Sequence, residues 1–91
     1  MIKVKLFGIL KEKAGKNEVL IQANDGEEII QALSRELRDS FSEEFFKKDG
    51  SVKDYYMLLL NREIAIDQKN LKKIKLKEGD SIEIFPLIVG G

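Results

Sequence analysis

Ser81-Ile82-Glu83-Ile84-Phe85 alternates in polarity and then gives way to Pro86-Leu87-Ile88-Val89-Gly90-Gly91. The alternation is the period-two pattern of a strand with one face in a core. Pro86 has no N–H to give to a sheet and biases Phe85 toward extended geometry, so the ladder is expected to end there and the chain to leave extended. Gly90 and Gly91 adopt backbone angles closed to other residues, which lets such a tail thread a narrow slot in another protein. Two final glycines arise by chance in roughly one chain in two hundred if Gly fills about 7% of positions. A frayed end is more often polar than this apolar approach. The Gly91 carboxylate is therefore expected to be the working group, with Gly90 beside it.

Working outward, Lys77-Glu78-Gly79-Asp80 is a turn that feeds this last strand. Before it, Lys69, Lys72, Lys73, Lys75 and Lys77 interleave with Leu71, Ile74 and Leu76. The apolar members are expected to face inward and the lysines to solvate the outside; the alternative is a docking patch for an acidic surface. Tyr55 to Leu60 is apolar at every position, which predicts the central, most buried strand. Asn61-Arg62-Glu63 turns it into Ile64-Ala65-Ile66, with Arg62 standing where the usual hairpin signal has glycine.

At the other end, Ile2, Val4 and Leu6 alternate with Lys3, Lys5 and Phe7, and Gly8 closes this first strand. A helical turn over 9–14 leads to a second strand over 18–23, expected to pair back on the first. Asp25 with Glu28 three residues on marks a helix start. Ile29, Ile30, Leu33, Leu37 and Phe41 make its apolar stripe. Asp39-Ser40 is expected to end or bend it before a second short helix carrying Phe45 and Phe46, aromatic residues read as core. The order predicts one α+β domain, a mixed sheet with one main helix across one face. Leu33, Leu37, Leu58 and Ile84 are expected to share its core.

Sixteen Lys and Arg balance sixteen Asp and Glu. The chain thus lacks the excess positive charge of a nucleic-acid binder that works by counterion release. It has no Cys and no His, which removes thiol nucleophiles, disulfides, the usual zinc sites and the commonest general base. No phosphate-binding loop of the GxxxxGK[ST] or GxGxxG kind is present. Adjacent acids such as Glu27/Glu28 and Glu43/Glu44 do not converge on one point of a helix. An enzyme acting alone is not expected, and neither is a bound metal. No apolar run approaches about 18 residues, so a soluble cytoplasmic protein without membrane attachment is expected.

The element order, the Lys77-Glu78-Gly79-Asp80 turn, Ile82-Glu83-Ile84-Phe85-Pro86 and the final Gly90-Gly91 resemble the β-grasp, ubiquitin-like sulfur carriers of the MoaD/ThiS group, most of all the small subunit of molybdopterin synthase. The resemblance implies a single β-grasp domain over residues 1–91 with a tail over 86–91. It implies that Gly91 is adenylated by an adenylyltransferase related to the ubiquitin-activating enzyme. ATP and Mg would be held on that partner, not on this chain. The product, a thiocarboxylate, would then be offered inside the large subunit that builds molybdopterin. Carriers for thiamine, cysteine or tRNA thiolation, and a protein modifier joined to lysines through Gly91, need the same activated glycine. This chain departs from the commonest family tail at Leu87 and Val89, and lacks the glycine that often follows Asn61.

A physical requirement on the partner follows. Leu87 to Gly91 spans at most about 16–18 Å fully extended, and ordering five backbones costs roughly 5–10 kcal/mol. Contacts elsewhere must offset that, and exposed ion pairs contribute only about 0–1 kcal/mol each. An apolar docking face near the last strand, including Phe7 or Phe85, is expected, with Leu87 and Ile88 entering the partner's channel and Pro86 and Val89 also touching the partner.

Overall fold

The first strand, β1 (Ile2–Leu6), buries Ile2, Val4 and Leu6 and turns its alternate residues outward. In this computed structural model, which describes residues 1–87, β1 pairs antiparallel with β2 (Glu18–Ile21) and parallel with β5 (Ser81–Pro86). Between β1 and β2 lies α1 (Ile9–Ala14), so the pair is joined through a helix and not by a tight turn. β3 (Tyr56–Leu60) pairs antiparallel with β5 and with the two-residue β4 (Ile64–Ala65). The sheet order is β2-β1-β5-β3-β4, a mixed sheet as expected.

That order corrects the assignment of the central strand. β5 occupies the middle and β3 stands one place out, with Tyr56 and Leu58 buried but Met57, Leu59 and Leu60 only partly so. An apolar run on both faces does signal low exposure, but here one face is covered by helices while the other is the sheet's open side. β4 does not cover the Tyr56 end of β3. There the Gln68 side-chain amide donates to the carbonyls of Lys53 and Tyr56 at 2.9 and 3.0 Å, closing part of an edge that would otherwise present unpaired groups.

α2 (Gly26–Glu36) begins as the sequence indicates. Asp25 accepts from the Glu28 N–H at 2.9 Å, and the Glu28 carboxylate in return accepts from the Asn24 N–H at 2.6 Å. Ile29 and Leu33 are fully buried. Gly26 is required by close approach, since a Cβ there would stand 1.7 Å from the Leu71 carbonyl oxygen. The helix ends before Leu37, two residues ahead of the end or bend expected at Asp39-Ser40, and Asp39-Ser40 opens the expected second short helix, α3 (Asp39–Phe45). Leu37 and Arg38 are extended. Asp39 then suits a helix N-terminus electrostatically, and the Ser40 hydroxyl donates to the Lys13 carbonyl of α1 at 2.8 Å. Phe41 and Phe45 stack at 5.2 Å between ring centroids, fully buried.

A 3₁₀ helix over Gln68–Lys73 follows β4, capped by Asp67. Leu71 and Leu76 are buried and Ile74 partly so, while the lysines are exposed. The inward-facing reading of this segment holds. Leu33, Leu37, Leu58 and Ile84 all belong to one buried cluster between sheet and helices.

Candidate functional site at the end of the last strand

β5 carries Ile82 and Ile84 into the core and sends Phe85 to the open face. There Phe85 stands opposite Met57 of β3, and its ring meets Phe7 edge to face with centroids 6.3 Å apart. Phe7 continues β1 by donating its N–H to the Ile84 carbonyl at 3.1 Å. Gly8, with φ of 63°, then turns the chain into α1. The Pro86 ring packs against Gly8, where a Cβ would sit 3.4 Å from its Cγ.

The ladder does not stop at Pro86. Pro86 is paired with Tyr56, and the Leu87 N–H donates to the Tyr55 carbonyl at 2.7 Å. This register makes Tyr56 and Pro86 a pair without mutual hydrogen bonds, so the missing N–H falls on the side of β1. The β1–β5 ladder ends with the Phe7 N–H bond to Ile84, since the next bond, to the Phe7 carbonyl, would need the N–H that Pro86 lacks, while the pairing with β3 is left intact. Tyr55 is itself held by its neighbours: its ring lies 4.7 Å from that of Tyr56, and both hydroxyls donate to the Glu44 carboxylate of α3. Burial, together with the hydrogen bond to Glu44, pushes the Tyr56 hydroxyl pKa up. It is a structural donor.

Phe7 is 41% exposed and Leu87 46% exposed, while Phe85 and Pro86 are half-buried. A cavity of about 350 Å³ opens beside Leu87 with Met57, Ala65 and Ile66 among its walls. The structure thus brings Phe7, Phe85, Pro86 and Leu87 together at one corner of the sheet. Ile88, Val89, Gly90 and Gly91 lie outside the described residues. Met57 and the Tyr55 carbonyl complete this corner and were not among the expected site residues. The continuous apolar run of β3 was the available signal for Met57. The lower part of the open face is mixed, with Lys3, Lys5, Ser81 and Glu83 beside Leu20, in register with Lys3, and Leu59, in register with Glu83, and with Arg62 paired to Glu83 at 3.6 Å. Among the described residues no group of three His, Cys, Asp or Glu side chains could hold a metal ion. No helix there is long and apolar enough to cross a membrane.

The family model described as ThiS family matches residues 4–91. Among curated proteins, none matches the sequence. Of solved structures, small archaeal modifier protein 1 of Haloferax volcanii is 26% identical, covering 99% of this chain and 98% of its own, with a TM-score of 0.77. The protein of that name from Methanosarcina acetivorans is also 26% identical, with 99% and 95% covered and a TM-score of 0.81. A chain in the complex of subunits 1 and 2 of the molybdopterin-converting factor from Helicobacter pylori is 29% identical, with 99% and 97% covered and a TM-score of 0.65. The fold is the β-grasp of ubiquitin-like sulfur carriers and modifiers.

Proposed function

The chain belongs to the ThiS family, and from that premise we propose that it is a sulfur carrier working through the carboxylate of Gly91 in molybdopterin synthesis. A carboxylate oxygen attacks the α-phosphorus of ATP, pyrophosphate leaves, and the acyl-adenylate forms on an adenylyltransferase related to the ubiquitin-activating enzyme. That partner supplies ATP and Mg, which neutralise and position the phosphates. A persulfide sulfur then attacks the acyl carbon and AMP departs. Reductive cleavage of the resulting S–S bond by a thiol leaves the thiocarboxylate, which the large subunit of molybdopterin synthase consumes.

The observation that supports this reading most is the exposed apolar corner where β5 ends. Phe7, Phe85 and Leu87 offer apolar area at the root of the tail, where a partner must recover the cost of ordering it. With Leu87 held to Tyr55, four residues remain to reach the reacting centre, at most about 13–14 Å. The partner's reacting atoms must therefore lie close beneath its contact with this corner. Similarity to a chain of the Helicobacter pylori molybdopterin-converting factor supports the molybdopterin branch.

The test is adenylation by the cognate activating enzyme of three proteins: wild type, a variant lacking Gly91, and one with a residue added after it. Both variants should melt like wild type and fail to be adenylated. Phe7→Ser and Phe85→Ser should bind the enzyme roughly tenfold more weakly, as fits the loss of one buried aromatic contact. Full adenylation of the extended protein rejects the proposal.

A second reading, conjugation of Gly91 to lysines of other proteins, is favoured by the 26% identity to two small archaeal modifier proteins. It shares the adenylation step and differs in the nucleophile that follows.

A further inference from the structure

On the helical side of the molecule, away from Phe7 and Phe85, two openings of about 450 and 300 Å³ share Ile30, Gly50 and Lys72 and so form one groove. None of its lining residues belongs to a strand. Along α2 it runs from Glu27 to Arg35, nine residues and so about 12 Å of helix, the length of three to four extended residues. The 300 Å³ end has Ile30, Val52 and Leu71 as its floor and Lys69, Lys72 and Lys73 on its rim, with no acidic residue among its walls. All three lysines are exposed, and none takes part in an ion pair among the described residues. Two acids, Glu27 and Asp49, stand only at the other end, and there Asp49 is occupied with the N–H and hydroxyl of Ser51.

We propose that this groove binds an acidic segment of a partner protein, seating one apolar side chain over Ile30, Val52 and Leu71 with flanking carboxylates on Lys69, Lys72 and Lys73. The charge balance of the chain is zero, so the cation excess here is a local arrangement and not a by-product of a basic protein. A volume at the lower bound of clefts for whole small molecules suits a single side-chain anchor. The open, elongated shape suits a peptide backbone. Because the groove and the Phe7–Phe85 corner lie on opposite sides of the sheet, both can be occupied at once.

The test is a titration of the full-length, isotope-labelled protein with the capped peptide Asp-Glu-Leu-Asp-Glu, followed through backbone amide shifts. Amides of Ile30, Val52, Leu71 and Lys72 should move together and saturate. Affinity should fall about tenfold or more in the double variant Lys72→Glu, Lys73→Glu, whose side chains are exposed, and fall with rising salt. Lys69→Gln, a gentler change at the same rim, should weaken binding too, and replacing the peptide's Leu by Ser should abolish saturation. The proposal is overturned if these amides do not shift, if only Phe7 and Phe85 respond, or if the Ser peptide binds equally. Tighter binding of a uridine oligonucleotide in the same groove also overturns it. The titration involves neither Gly91 nor an activating enzyme, so its failure and the failure of the carrier reading are separate results.

Discussion

At Asn61 and Arg62 the backbone takes φ of 52° and 63°, left-handed at both central positions of the turn between β3 and β4. Asn tolerates this; Arg does so at a cost of about 1–2 kcal/mol, part of which glycine would avoid. Asn61 is fixed by function within the turn: its side chain donates to Asp80 at 3.0 Å and accepts from the Ser81 N–H at 2.8 Å. Arg62, exposed to solvent, reaches the largely buried Glu83 side chain only at 3.6 Å, longer than a hydrogen bond, so the pair contributes little. Arg62→Gly should therefore raise stability by about 0.5–1 kcal/mol, read as a higher melting temperature; a lower one would mean that the pair with Glu83 outweighs the strain. The same clip carries a pH dependence. The Lys77 N–H, then the Asn61 amide, hold the Asp80 carboxyl below its usual value of 3.8. A folded pKa lower than the unfolded one contributes stability that is present above 3.8 and lost as pH falls through the folded value. Asp80→Asn should flatten the acid limb of a melting-temperature-against-pH curve. Asp49, lowered by its bonds to Ser51, has the same sign and should keep part of the slope.

Among the elements, β5 holds the middle of the sheet while Leu58 of β3 lies fully buried against Ile84 in register. Leu58→Ala should cost about 2–5 kcal/mol, a large share of the stability of so small a domain. An unchanged melting temperature would show that the helix–sheet core closes without it. β1, α2 and β5 were legible because their periodicity is local: Ile2, Val4 and Leu6, the Asp25 cap, and Ile82 and Ile84 each announce themselves within a few residues. The break between α2 and α3 was legible from Asp39-Ser40 but placed two residues late, since no proline or glycine marks Leu37 and Arg38 and the Ser40 bond to Lys13 spans 27 residues. Strand order was illegible, because the central place of β5 comes from a parallel pairing with β1 across the whole chain. At the site, Phe7 and Phe85 were visible as outward-facing aromatics beside a proline. Met57 depended on register, and the Tyr55 carbonyl that holds Leu87 is a backbone group without a side-chain signature.

For the whole molecule, the sheet separates two surfaces of different chemistry. The open face ends in the apolar corner of Phe7, Phe85 and Leu87, and the helical side carries the lysine-rimmed groove. A carrier that must be charged by one protein and discharged by another benefits from a rigid body with its reactive end beyond the last strand. The central claim is that the Gly91 carboxylate is activated and receives sulfur. An intact-mass measurement on the protein purified from its own cells tests this most directly. The account predicts a population in which one oxygen is replaced by sulfur, localised to Gly91 by fragmentation. A population carrying only the plain carboxylate while the activating enzyme is present and active, or recovered solely as an amide joined to lysines of other proteins, would contradict it.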